Sequence, residues 1–161
     1  MDLVIDCNVL VDASGQGMEE YAQASLELLK YLLLIPEFRL VIDGKGKIAR
    51  EYDNRINATM YARNWLEKLQ RSQRVVQLNS LSVPKGARVK LLEERLHKRD
   101  FPLIETALAA DHTIITRDFN SFQKEIITIL RRQLNVYVLA ADEYYANLRA
   151  AEVQAENQPA E

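Results

Sequence analysis

Leu3-Val4-Ile5-Asp6, near the start of the chain, and Thr113-Ile114-Ile115-Thr116-Arg117-Asp118, towards its far end, share one design: a short aliphatic run that leads to an acid. Unbroken apolar runs, rather than alternating ones, suit strands buried on both faces, as in parallel sheets covered by helices. Working outward from these two runs, the pattern predicts strands over 3–6, 40–42, 75–78, 113–116 and 136–139. Between them, amphipathic spacing predicts helices over 18–34, 47–56, 59–73, 85–98, 102–110, 121–132 and 141–150. The first of these turns Tyr21, Leu26, Leu29 and Leu33 inward and stops at Pro36; Asp43-Gly44-Lys45-Gly46 reads as a turn. Pro102 suits the first turn of its helix. Strands alternating with helices define an α/β chain, a three-layer sandwich with a mostly parallel central sheet flanked by helices.

A length of 161 residues fits one domain with a proper core, expected over 1–150, with the polar run 151–161 expected as a disordered tail. The hydrophobic share of 48% and charged share of 27% are ordinary for a globular protein. A single cysteine, Cys7, excludes an intramolecular disulfide and points to the cytoplasm. The first residues lack the basic start and long apolar stretch of a signal peptide, and the longest apolar run, 31–36, is too short for a bilayer. No membrane partner is therefore expected. A net charge of −2 argues against a general nucleic-acid coat protein. The cations are nonetheless grouped beside acids: Lys45, Lys47 and Arg50 before Glu51; Arg95, His97, Lys98 and Arg99 before Asp100; Arg117 before Asp118. Cations so placed would hold a polyanion while the carboxylates held a metal. The plainer reading makes each run a solvated helix face.

Ligands of open α/β sheets bind at the carboxyl ends of the strands. Asp6 and Asp118 fall there, Glu51 lies early in a helix, and Asp100 immediately precedes one. Four acids converging on one sheet edge would repel each other unless a cation sat among them. Oxygen ligands select a hard divalent ion, Mg²⁺ or Mn²⁺. Each acid also has an ordinary role open to it: Asp100 as a helix cap, Asp118 as a turn initiator, Glu51 as a surface residue. Asp6 fits such a role least, because a carboxylate among aliphatics needs partners; Asn8 can donate to it.

Other chemistries find less support. His97, His112 and Cys7 are too few and too scattered for zinc. No Gly-x-Ser-x-Gly elbow is present, and Gly44-x-Gly46 alone makes no phosphate loop. Phosphotransfer through Asp6 is a minor rival, since many such phosphatases carry a second Asp where this chain has Asn8.

The opening Val4-Ile5-Asp6-Cys7-Asn8-Val9-Leu10-Val11 resembles the start of PIN domains, a hydrophobic-Asp-x-Asn-x-Leu pattern. The segment from Asp100 through Ala107, Ile114, Ile115, Thr116, Arg117 and Asp118 to Phe122 resembles that family's later block, and Arg50-Glu51-Tyr52 falls in the place of its second acid. The similarity runs in order over nearly the whole chain; the Glu51 match is the loosest. The resemblance implies a PIN-like sandwich and a metal-dependent endoribonuclease acting on RNA. Asp6, Glu51, Asp100 and Asp118 would be its catalytic metal-binding acids, with Asn8 and Thr116 supporting them by hydrogen bonds. Hydrolysis would proceed through a metal-activated water, without a side-chain nucleophile. Arg95, Lys98, Arg99 and Arg117 are the expected contacts to substrate, a single strand rather than a duplex. A departure is Glu105, where many relatives carry a small residue; five positions from Asp100, it is not expected in the metal shell. The resemblance also admits a toxin paired with a small antitoxin protein, a homodimer, and an inactive module that only binds RNA or scaffolds.

Overall fold

Leu3, Val4 and Ile5 have essentially no solvent contact, so the strand that carries them, β1 (Asp2–Ile5), lies inside a sheet rather than at its edge. In the computed structural model, which describes residues 1–156, it is joined by β2 (Arg39–Asp43), β3 (Val75–Leu78), β4 (Thr113–Ile115) and β5 (Tyr137–Leu139). All pairings are parallel and the order is β3-β2-β1-β4-β5. The register sets Val4 beside Ile114 and Ile5 beside Ile115, and the Asp6 N–H continues the ladder to Ile115 O at 2.8 Å.

From β1 the chain steps outward to β2 and β3, then returns to the other side for β4 and β5. Right-handed crossovers therefore put α1 (Cys7–Ala13), α2 (Glu19–Leu34), α3 (Lys47–Arg55) and α4 (Tyr61–Arg71) on one face. The same rule puts α5 (Lys85–Glu93), α6 (Phe101–Ala109) and α7 (Lys124–Leu134) on the other. The result is an α/β three-layer sandwich. On the first face the core centres on Trp65, whose indole N–H donates to Leu29 O at 2.7 Å beside the Phe38 ring. The last helix, α8 (Ala141–Glu156), packs on α2, with the Tyr145 and Tyr31 rings edge to face at 5.4 Å.

Three features differ from the sequence expectation. Helix α1 was not foreseen. Every one of its residues is buried, so its polar pair, Asn8 and Asp12, marks no solvent face, and Val9 and Val11 give it the look of strand. Helix α5 stops at Glu93 rather than at 98: Arg95 turns left-handed at φ 66° and Leu96 drops into the core. Lys98 and Arg99 then belong to a 3₁₀ turn, Lys98–Asp100, that feeds α6. Helix α8 runs past 150 to Glu156, so the first part of the expected tail is helical, and residues 157–161 lie outside the described residues. No helix among the described residues is long and apolar enough to cross a membrane.

Candidate functional site

The strand order reverses direction between β1 and β4, and the crevice beyond the carboxyl ends of such neighbours is where this architecture leaves room for a ligand. Asp6 leaves β1 there, and Thr116 leaves β4 beside it. A cleft of about 110 Å³ opens at this point, lined by Asp6, Asn8, Glu51, Arg55, Arg99, Asp100, Leu103 and Asp118. Leu103 is its only aliphatic residue, and the space suits an ion with a few waters. All four acids singled out in the sequence thus border one cleft.

Asp6 stands at the N-cap of α1 and Asp100 at the N-cap of α6, yet neither side chain makes a capping hydrogen bond. A carboxylate at that position ordinarily accepts from the first-turn N–H groups. Here the Asp6 Oδ2 atom instead accepts from Asn8 Nδ2 at 2.8 Å and from Thr116 Oγ1 at 2.7 Å. Asp100 Oδ2 is buried and has no hydrogen-bond partner at all, and Arg99 Nε lies 3.7 Å from Asp100 Oδ1. A buried, unpartnered carboxylate oxygen is costly unless something else completes it.

Thr116 is the hub of the arrangement. Fully buried, its hydroxyl donates to Asp6, accepts from the Asp118 N–H at 3.0 Å, and lies 3.3 Å from Asn8 Nδ2. Asn8 uses its remaining oxygen to accept from the Arg117 N–H at 3.3 Å. Beneath, the buried Tyr52 hydroxyl donates to the Ile5 carbonyl, which fixes the backbone one residue before Asp6. Cys7 Sγ lies 3.7 Å from Glu51 O and ties α1 to α3.

Burial pushes the Asp6 carboxyl up to about 6; hydrogen bonds from Thr116 and Asn8 oppose this, and the charges of Glu51 and Asp100 add to it. Asp100 is likewise raised, first by burial, with Arg99 pulling it down and Asp118 and Glu51 pushing it up. The four acids therefore act on one another electrostatically. They do not yet form a closed ligand set. Glu51 Oε1 faces Arg55 at 3.4 Å, and both Asp118 oxygens accept from Ser121, at 3.1 Å from its N–H and 2.9 Å from its hydroxyl. Among the described residues no three His, Cys, Asp or Glu side chains stand close enough together to hold one ion. Asp6 and Asp100 offer the hard, anionic oxygens that Mg²⁺ or Mn²⁺ prefers; Glu51 and Asp118 must turn from their present partners to join them.

The expected substrate contacts divide. Arg99 lines the cleft; Arg95 and Lys98 are exposed but do not. Arg117 also lies outside the cleft lining, because it is committed elsewhere. Its guanidinium forms an ion pair with the fully buried Asp12, approaches Met18 Sδ at 3.1 Å and lies 6.0 Å from the Tyr21 ring centre. Asp12 in turn accepts from the Met18 N–H at 2.9 Å. Gly17 is required alongside, since a Cβ there would fall 1.7 Å from Asp12 Oδ1. Glu105 pairs with Arg88 at 3.1 Å and does not line the cleft.

Arg55 and Asp12 were missed from sequence. Arg55 carried a usable signal, its i, i+4 offset from Glu51, whereas nothing local marks Asp12 as the partner of Arg117. No protein-family model matches this sequence, and no curated protein sequence matches it.

Proposed function

We propose that this chain is a PIN-like, metal-dependent endoribonuclease of the cytoplasm that hydrolyses phosphodiester bonds of RNA at the cleft between β1 and β4. The observation that carries the reading is the pair of acids at helix N-caps, Asp6 and Asp100, whose carboxylates leave the cap positions unused and border a polar cleft. Asp100 Oδ2, buried without a partner, is an acceptor in need of a cation.

Asp6 and Asp100 would hold Mg²⁺ or Mn²⁺, with Glu51 and Asp118 as further ligands. When bound, the ion supplies an acidified water and charge neutralisation at the phosphate. The chain's own contribution is positional and electrostatic. Thr116 and Asn8 lock Asp6 in one rotamer by holding a single oxygen, which leaves Oδ1 directed elsewhere. Arg99 and Arg55 border the same cleft and can each pair with a phosphate oxygen in a forked geometry. The resemblance further proposes a small antitoxin protein or a second copy of the chain as protein partner, which co-purification with the product of a neighbouring short gene tests.

The engagement of Glu51 with Arg55 and of Asp118 with Ser121 favours a second reading, a binding module without turnover. One experiment separates the two. Chelator-treated protein is titrated with Mn²⁺ by calorimetry, and the same samples are assayed on labelled single-stranded RNA and matched DNA. Saturable Mn²⁺ binding with RNA cleavage that disappears in Asp6→Asn supports the nuclease. RNA binding without cleavage at saturating Mn²⁺ supports the module. Undiminished cleavage in chelator overturns the metal role.

A further inference from the structure

Lys47, Arg50, Glu51, Asn54 and Arg55 recur at i, i+3, i+4, i+7 and i+8, so they form one stripe along α3. All five are exposed, while Ile48 and Tyr52 face the core. The stripe forms an open, shallow surface that shares Glu51 and Arg55 with the acidic cleft, so the two adjoin.

Its charges are available. Among the described residues neither Lys47 nor Arg50, nor Lys45 in the preceding turn, has an acidic partner. Arg50 is steadied instead by the carbonyls of Gly46 at 3.2 Å and Lys45 at 3.3 Å, which orient it without neutralising it. Their placement also runs against the helix. The first turn of α3 carries no acid, and cations there oppose the helix dipole. The buried Asp43 carboxylate already caps this helix start, accepting from the Lys47 N–H at 2.9 Å and the Ile48 N–H at 2.8 Å, so both its oxygens are used and the cationic side chains are left to an anionic ligand.

We infer that this face of α3 is the track on which the backbone of single-stranded RNA lies as it enters the cleft, with Arg55 at the junction. The inference rests on the nuclease reading of the cleft. From Lys47 to Arg55 the helix advances about 12 Å, enough for more than one phosphate of an extended strand. The stripe presents no aromatic side chain, so bases have nothing to stack on and the contacts are to phosphate. The track therefore supplies affinity and register but no sequence preference.

The test is binding of a labelled, mixed-sequence single-stranded RNA by fluorescence anisotropy in chelator, over a salt series. Loss of two phosphate contacts in Lys47→Ala/Arg50→Ala should flatten the salt slope by about 1.4 and weaken binding about 25-fold at 0.1 M salt. A control, Arg131→Ala/Arg132→Ala on α7, removes the same charge away from the stripe and should leave the slope unchanged. Circular dichroism and melting confirm that both variants fold. An unchanged slope in the α3 variant overturns the track, and if wild-type protein still cleaves RNA with Mn²⁺ the nuclease reading survives. Equal losses in both variants, or poly-glutamate binding as tightly as RNA, also overturn it. RNA binding that depends on α3, with no cleavage under any divalent ion, supports the track and refutes the nuclease.

Discussion

Replacing Asp6 by asparagine should stabilise the metal-free protein at neutral pH and abolish a specific part of its pH dependence. The Asp6 carboxyl is raised from 3.8 to about 6 in the folded chain, chiefly by burial. A raised acid holds its proton more tightly when folded, so the folded state is favoured at low pH. That advantage is lost as pH rises from about 4 through 6. Fully ionised, Asp6 costs the folded state about 3 kcal/mol. Asparagine keeps the shape, and its carbonyl can accept from Asn8 and Thr116 as the carboxylate does, so the variant mimics the protonated acid. It should be more stable than wild type by about 3 kcal/mol at pH 7.5, and by only about 1 kcal/mol at pH 4.5. At neutral pH this corresponds to a rise of roughly 6–12 °C in melting temperature for a domain of this size. Urea denaturation of both proteins at the two pH values, in chelator, reads the effect, because titrations of groups away from Asp6, Glu51 and Asp100 cancel in the difference. A variant less stable than wild type at pH 7.5, or a gap that does not change with pH, would refute the reasoning.

Mn²⁺ at a hundred times its dissociation constant should stabilise the wild type by about 2.7 kcal/mol, an increment lost in Asp6→Asn and Asp100→Asn. The same increment should fade below about pH 6, where Asp6 retains its proton; melting curves across pH check both. Arg117→Ala strands the buried Asp12 charge and should cost about 3–5 kcal/mol, with much of it recovered in Asp12→Asn/Arg117→Ala; equal losses in the single and double variants would sink the pairing argument. Thr116→Val removes a donor to Asp6 and an acceptor for the Asp118 N–H, at about 1–3 kcal/mol, and should raise the Asp6 titration further, which carboxyl NMR can follow.

The sheet was legible because its strands lie within aliphatic runs, and the acids stood out because they follow or flank those runs. Periodicity carries information only where an element has a wet side. Helix α1 has none, and its seven buried residues read as a continuation of β1. The end of α5 was hidden for a different reason. Lys98 and Arg99 continue a helical composition, and what breaks the helix is the burial of Leu96. Within the site, the four cleft acids could be named from their positions at strand and helix ends. Their present partners could not: Ser121 for Asp118 and Arg55 for Glu51 are ordinary local pairs that sequence does not distinguish from many others. Arg117 shows the opposite failure. Its position beside Asp118 suggested a role facing the substrate, but Arg117 lies in a bend beyond β4, which ends at Ile115, and its guanidinium turns to Asp12 instead.

The hydrogen bond from Thr116 to Asp6 joins residues 110 positions apart. During synthesis the amino-terminal half of the site is made first and then waits, with an ionisable acid beside an unfinished crevice, until β4 has emerged to close it. No shorter amino-terminal fragment can carry the site, and strand pairing over such a distance is intrinsically slow. The paired arrangement of Asp6 and Thr116 is therefore absent until residue 116 has been made and β4 has docked beside β1. A nascent chain ending before residue 113 would carry Asp6 without the hydroxyl that holds it.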